Sequence, residues 1–458
     1  MANTKKSLKN SKKATSPVAC PLVSQLNQFL RYYLMPSQRV LLALSGGLDS
    51  SVLLHLLAVA KQVIPFELHA MHVHHGLSTN ADDWADFCTQ QCQILNVPIE
   101  IVRVKVDKNS KLGIEAAARQ LRYEALFDFK ADGVAPDFIV TAHHQDDQAE
   151  TLLLQLCRGA GVKGLASMAL IDEPRRLMRP LLDESRQALQ EYATQHHIAW
   201  CDDESNDNTQ YERNFVRHDV MPMLASRYPA LKSVLARTAS HLADANDLLD
   251  DLAKIDSQHL LQNNNLCLQG LTALDLSRAK NLLRWWFSQN QLSMPTSEHL
   301  TEIIQQLFTA KPDANIHIQL QNLSLKRYQQ RAYLCTERIA ETFDMVWNGE
   351  PSLELPNGGQ LHFKQVTGSG LALKHGITKL RITNRDGGER FKPDVLRPTR
   401  TLKHLLQEAN IPPWQREHLP LIYWNDTLAL VPNIGIAHEL QASENEQGLE
   451  ITWQDKAV

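Results

Sequence analysis

Between Arg39 and about Trp200, short apolar runs alternate with stretches of helical length, and this limits the fold more than any other feature of the chain. Val40–Leu44 reads as a strand ending at Ser-Gly-Gly, followed by an apolar helix over Ser51–Ala60. Leu68–His74 and Ile99–Val106 read as the second and third strands, with helices over Ala81–Leu95 and Glu115–Phe129 after them. Phe138–Thr141 is a fourth strand, followed by a helix over Asp147–Arg158. Strands spaced by helices predict an α/β fold with a parallel sheet covered on both faces. Ligands of such sheets bind beyond the carboxyl ends of the strands. Polar residues at those ends are therefore the first candidates for chemistry.

The rest of the chain changes character. Helical patterns dominate from about Pro229 to Cys335, over Leu231–Leu252, Arg278–Ser288 and Glu298–Thr309. After Phe343 the sequence turns Gly- and Pro-rich, with short strands such as Leu361–Phe363 and Leu428–Val431. A chain of 458 residues accommodates several domains. The expected division is a basic flexible tail and lead-in helix (1–37), the parallel-sheet domain (38–226), a helical domain (227–342) and a small mixed domain (343–458). Met1–Leu30 has no Asp or Glu but carries Lys5, Lys6, Lys9, Lys12 and Lys13. No run of about 18 apolar residues exists, which excludes a membrane-spanning helix. The seven cysteines form no C-x-x-C spacing and read as reduced thiols of a cytoplasmic protein, so neither zinc nor an iron–sulfur cluster is expected. Net charge is only −4, yet basic residues outnumber acidic ones between Lys374 and Lys403. Neither composition nor motif sets an oligomeric state.

The chemistry begins at Ser45, Gly46, Gly47, Leu48, Asp49 and Ser50, which join the first strand directly to a helix. Glycines let the backbone approach a ligand closely, and the free amides of a first helical turn favour an anion. No Lys follows as in G-x-x-x-x-G-K-[ST], so the loop suits pyrophosphate as a leaving group rather than a γ-phosphate to be transferred. Asp49 repels phosphate, and its expected task is to hold Mg²⁺.

Ser-Gly-Gly-Leu-Asp-Ser resembles the signature of the PP-loop ATPases, which split ATP into AMP and pyrophosphate. Further segments resemble bacterial tRNA(Ile)-lysidine synthases. They are His72-Val-His-His-Gly-Leu77, Glu115-Ala-Ala-Ala-Arg-Gln-Leu-Arg-Tyr123, Thr141-Ala-His-His-Gln-Asp-Asp-Gln-Ala-Glu-Thr151, Arg158-Gly-Ala-Gly161, Arg179-Pro-Leu-Leu182, Asp203-Glu-Ser-Asn206 and Arg213-Asn-Phe-Val-Arg217. The match runs almost continuously from Val40 to Leu224. It continues more weakly into Arg397-Pro-Thr-Arg-Thr-Leu-Lys403 and Ile411-Pro-Pro-Trp-Gln-Arg416.

Residue by residue, Arg119 and Arg122 share a helix face and suit neutralisation of the α-phosphate. His144, Asp147 and Glu150 recur at three-residue steps where the fourth strand ends. A carboxylate pair suits Mg²⁺ or a ligand ammonium, and His144 is the first candidate for a general base. Asp146 stands open between that role and helix capping. Asn206, Arg213, Asn214 and Arg217 suit RNA contacts or the stapling of an exposed connector. Trp285 and Trp286 suit base stacking or a core stripe with Leu282, Leu283 and Phe287.

The resemblance implies that His74 lies where adenine binds, that ATP and Mg²⁺ are required, and that free L-lysine is ligated to the wobble cytidine of tRNA(Ile) with anticodon CAU. It also implies a substrate-binding helical domain and a tRNA-binding C-terminal domain, with Arg397, Arg400 and Lys403 as contacts. Three rivals remain: a PP-loop tRNA thiolase, an ammonia-using synthetase, and a non-catalytic tRNA-binding protein that senses nucleotide. The first is disfavoured by the missing C-x-x-C and the second by the lack of a glutaminase-like motif.

Overall fold

A computed structural model describes residues 21–107, 113–310, 316–336, 341–356, 358–396 and 398–455. The basic tail expected within 1–37 therefore lies outside the described residues up to position 20, and its lead-in helix, α1, spans Pro21–Tyr33. The chain divides into two compact units, Met1–Leu248 and Leu249–Val458.

The first unit is built on a six-stranded sheet. Its strands are β1 (Arg39–Ala43), β2 (Glu67–His74), β3 (Ile99–Arg103), β4 (Phe138–Val140), β5 (Ile171–Asp172) and β6 (Leu177–Met178), in the order β3-β2-β1-β4-β6-β5. All neighbours pair in parallel except β5, which runs antiparallel to β6. Helices α2 (Leu48–Ala60), α3 (Ala81–Ile94), α4 (Ile114–Asp128) and α5 (Gln145–Cys157) make the connections.

Side chains of β1 alternate between two cores, as the two-residue strand period requires. Val40 and Leu42, with Leu44 just beyond the strand, pack with α1 and α2, where Leu53, Leu56 and Leu57 are wholly buried. Leu41 faces the other way, onto Met71, Ile139, Leu177 and Leu126 of α4. Helix α2 is buried nearly all round, which explains its run of leucines with so few polar positions. Cys88 and Cys92, four apart on α3, are both fully buried and belong to the first core. Burial pushes each thiol up to about 12, so they act as small apolar groups.

From β1 the sheet grows through β2 to β3 on one side, then resumes with β4 on the other. The connections after β1 and β4 therefore diverge and leave a crevice above their carboxyl ends. The loop Ser45–Ser50 follows β1, and Thr141–His144 follow β4.

In the second unit, the segment read as helical also carries a five-stranded antiparallel sheet. Its strands are Leu261–Gln262, Asn265–Cys267, His317–Leu320, Leu323–Tyr328 and Arg331–Thr336. Against it pack helices Leu276–Gln289 and Ser297–Thr309. Trp286 is fully buried there, and its indole N–H donates to Asn264 Oδ1 at 2.8 Å, while Trp285 is partly buried against the same core. Trp286 is thus a core residue. Beyond it, three further antiparallel sheets and the helix Leu402–Glu408 share one core that includes Leu380, Phe391, Leu406, Ile422 and Val431. No helix among the described residues is long and apolar enough to cross a membrane.

Candidate active site

The loop after β1 owes its shape to Gly46, whose φ is +86°, a region that side chains disfavour. A Cβ at this position would also stand 3.0 Å from Cys88 Sγ. Gly47 is different: its φ is −74°, it is the N-cap of α2, and a Cβ there would meet nothing closer than Ser45 Oγ at 3.6 Å. Only one of the two glycines is thus required by backbone conformation. The carbonyl of Gly46 accepts from Cys201 N at 2.9 Å and from Ser51 Oγ at 3.2 Å. Ser45 Oγ and Ser50 Oγ lie 3.0 Å apart, and Ser50 Oγ donates to Gly47 O at 3.1 Å. The side chain of Leu48 is buried, so it offers a ligand only its amide.

Asp49 and His144 meet across the crevice. His144 Nε2 lies 3.5 Å from Asp49 Oδ2 and 3.5 Å from Asp147 Oδ2. The imidazole is 1 % exposed. Burial alone would lower its pKa, but the Asp49 and Asp147 carboxylates outweigh burial and hold it above the ordinary histidine value. It therefore sits in a carboxylate clasp that favours its protonated form. Two atoms here are buried with no partner among the described residues, Asp49 Oδ1 and His144 Nδ1.

Asp147 and Glu150, one helical turn apart on α5, do line up on one face as the spacing predicts. What fills that face is Arg213 and Arg217. Arg213 reaches Asp147 at 2.8 Å and Glu150 at 3.0 Å; Arg217 reaches Asp147 at 3.1 Å and Glu150 at 2.7 Å. The two arginines come from a short helix, Glu212–Phe215, that continues into a π-helical turn, Val216–Val220. Burial would raise the Asp147 carboxyl, yet His144, Arg213, His143 and Arg217 hold it down at about 2.

The other expected residues are distributed as follows. Asp146 is buried, accepts from Arg186 N at 3.2 Å at the start of a neighbouring helix and pairs with Lys232. Asn214 is buried and donates to Asn208 O at 3.0 Å, stapling the connector, whereas Asn206 is exposed and its carbonyl lies 2.9 Å from His218 Nε2. Arg119 and Arg122 part company. Arg122 donates to His75 at 3.4 Å beyond β2, while Arg119 lies over the ring of Tyr123, 5.2 Å from its centroid. His74 is buried with Nε2 3.2 Å from Asp82 and 3.2 Å from Arg103. Arg400 pairs with Glu408 and Lys403 is exposed, both in the second unit; Arg397 lies outside the described residues.

Two groups were not assigned from the sequence. His143 follows β4, with Nδ1 2.8 Å from Thr141 Oγ1. Burial, with Arg179, Arg213 and Arg119 acting against Asp147, brings its pKa down to about 3. Arg179 follows β6 and is 6 % exposed. A charged residue set directly after the apolar pair Leu177-Met178 and before a proline is the signal that marks it.

A lysidine synthase from Nitrosomonas europaea is 40 % identical over 440 residues, covering 94 % of this chain and 94 % of that protein. The chain belongs to the tRNA(Ile)-lysidine synthase family. Family members from Serratia proteamaculans (38 % identical, 94 % of this chain and 99 % of that protein) and Aromatoleum aromaticum (39 %, 92 % and 98 %) match equally far. Three family models divide the chain: a PP-loop domain over 19–224, a TilS substrate binding domain over 266–333 and a TilS substrate C-terminal domain over 380–453. As a member of this family the chain is a PP-loop, ATP-using ligase of tRNA modification. Every residue of the crevice described above falls within the PP-loop match.

Proposed function

We infer that this chain joins free L-lysine to carbon 2 of the wobble cytidine in tRNA(Ile) with anticodon CAU. The observation that carries the inference is the meeting of Asp49 with His144 and Asp147 in the crevice, directly beside a pyrophosphate-type loop without a Walker lysine. In the first step the cytosine O2 attacks the α-phosphorus of ATP, the bond to pyrophosphate breaks, and AMP is left on O2. In the second, the neutral ε-amine of lysine attacks carbon 2. A C–N bond forms, the C–O bond to AMP breaks, and the amine loses a proton.

The residues support these roles. The amides of Leu48, Asp49 and Ser50 open onto the departing pyrophosphate, with α2 behind them. The unpaired Oδ1 of Asp49 suits a Mg²⁺ ion, which when bound would neutralise charge on the phosphates. His144, whose protonated form its two carboxylates favour, has Nδ1 open to a phosphate oxygen. Free lysine's amine has a pKa of about 10.4 and must lose its charge before it attacks. Arg119, Arg179 and Arg213, the cations felt by His143, disfavour an ammonium beside them. Segment 343–458, with Arg397, Arg400 and Lys403, holds tRNA through its phosphates. Such a ligase works in the cytoplasm, where tRNA and ATP are found.

The test mixes the protein with ATP, Mg²⁺, labelled lysine and unmodified tRNA(Ile). Lysine-dependent label in the tRNA, with release of AMP and pyrophosphate, is the expected result. Formation of ADP, or no transfer of label, overturns the inference.

A further inference from the structure

The five-stranded sheet of the second unit has two faces, and its helices cover one of them. Leu325, Ala332 and Leu334 point into the core they share with those helices. The alternate residues Ser324, Lys326 and Tyr328 stand on the opposite face, where the register sets Ser324 against Cys335 and Lys326 against Tyr333. Serine, lysine and tyrosine on one strand face read as a surface turned to water. Ser324 is nevertheless wholly buried, and Tyr333 is 9 % exposed.

The segment Ile411-Pro-Pro-Trp-Gln-Arg416 lies against this face, and the reaction leaves it without a task. Ile411 and, beyond the segment, Leu419 pack in the C-terminal core. Between them Trp414 stands edge-on to Tyr333, with ring centroids 5.3 Å apart, and to Tyr328 at 6.3 Å. The Lys326 ammonium lies over the Trp414 ring, 5.6 Å from its centroid. Arg416 is 8 % exposed; its Nε donates to Ile411 O at 2.7 Å and its Nη2 to the Tyr328 hydroxyl at 2.9 Å. Gln329 Nε2 adds a bond to Asn410 Oδ1 at 2.7 Å. These contacts join the substrate binding domain to the C-terminal domain, which two separate family models describe.

We propose that Trp414 and Arg416 are a latch that fastens the C-terminal domain to the outer face of this sheet, so that the two domains grip tRNA as one body, an inference that rests on tRNA as the substrate. A polymer held at two places gains from the second contact only where the geometry allows both together. A fixed arm also avoids the cost of ordering one during binding. Arg416 is thus a positioning residue, acting on the substrate through Tyr328. Burial argues against its direct contact with an RNA phosphate, because its donors turn inward to Ile411 and Tyr328. Trp414 is likewise engaged by two tyrosines rather than offered to a base.

The experiment compares full-length wild type, Tyr328→Phe, Arg416→Met and the double variant. It measures affinity for unmodified tRNA(Ile) at several salt concentrations, ATP affinity without tRNA, and amide hydrogen exchange of the tRNA-free protein. Tyr328→Phe removes one hydroxyl and no charge, and should weaken tRNA binding about fivefold. Arg416→Met should weaken it about tenfold, and the double variant no further, because both changes break one interaction. The salt slope and ATP affinity should stay as in wild type. Exchange should quicken in Tyr328→Phe on both sides of the latch, over 323–336 and over 411–416. Additive losses overturn the proposal, as does a tRNA affinity unchanged in Tyr328→Phe. A salt slope lowered by about 0.9 in Arg416→Met makes Arg416 a phosphate contact and overturns it too. If Arg416→Met does not fold, Tyr328→Phe decides, and exchange that quickens on neither side overturns the latch. Wild type that binds no tRNA sinks the substrate itself, while exchange in the tRNA-free protein still reads the latch.

Discussion

Arg217 clasps Glu150 through two hydrogen bonds, Nε to Oε1 at 2.7 Å and Nη2 to Oε2 at 2.9 Å. The Glu150 side chain is only 5 % exposed, and Arg213 shares the same carboxylate. A buried carboxylate of this kind is tolerated only while its partners remain.

Replacing Arg217 with Met should therefore destabilise the first unit by about 3 kcal/mol, the scale for breaking one side of a buried pair. Urea unfolding followed at two wavelengths checks it. A loss under about 0.5 kcal/mol, the scale of an exposed pair, would show that the clasp is not buried in solution.

Asp147 supplies a pH dependence with a definite sign. Its folded pKa of about 2 lies below the unfolded value of roughly 3.9, so its contribution is present above that unfolded value. It is lost as pH falls through the folded one, and amounts to about 2.6 kcal/mol. Stability measured from pH 5 down to pH 2 should fall less steeply in Asp147→Asn than in wild type.

The sign reverses for His144. Its folded pKa is raised, because Asp49 and Asp147 outweigh the cost of burial, so its contribution is complete below the unfolded pKa and is lost as pH rises through the folded one. If the cation assists adenylation, kcat should decline along an alkaline limb. In His144→Asn that limb should vanish and the rate should drop about 100-fold or more. A retained limb would place the titration on another group.

The two glycines of the loop separate backbone strain from ligand approach. Gly46→Ala forces a side chain into φ +86° and against Cys88, and should cost roughly 1–2 kcal/mol of stability as well as ATP binding. Gly47→Ala meets no such obstacle, so thermal melting should be unchanged while ATP affinity falls. Equal melting temperatures for both variants would contradict the difference in conformation.

Neutralising Arg397, Arg400 and Lys403 together should weaken tRNA binding and reduce the salt slope of log K by about 0.9 for each phosphate that is no longer neutralised. ATP binding without tRNA should persist. Titrations at several salt concentrations provide the measurement, and an unchanged slope would exclude these residues from phosphate binding.

The sheet was legible because each parallel strand is a compact apolar run closed by polar residues, and Val40–Leu44 lies within one residue of β1. The five-stranded sheet after Leu261 was not, because its strands are short and interleaved with real helices, so the longer period dominates. In the crevice, spacing along one helix predicted the shared face of Asp147 and Glu150 correctly. It gave no hint that Arg213 and Arg217, far along the chain, fill that face. Nor does spacing reveal reach: Arg119 and Arg122 sit one turn apart, yet one lies over Tyr123 and the other donates to His75.

The hydrogen bond from Cys201 N to Gly46 O has a consequence for how the molecule is born. A nascent chain that has emerged through α5 already carries the whole nucleotide signature, yet lacks the strut that fixes its loop and both arginines that balance its acids. Competence to take up ATP should therefore appear late in synthesis, when the stretch from Cys201 to Arg217 leaves the ribosome, rather than when the signature itself does.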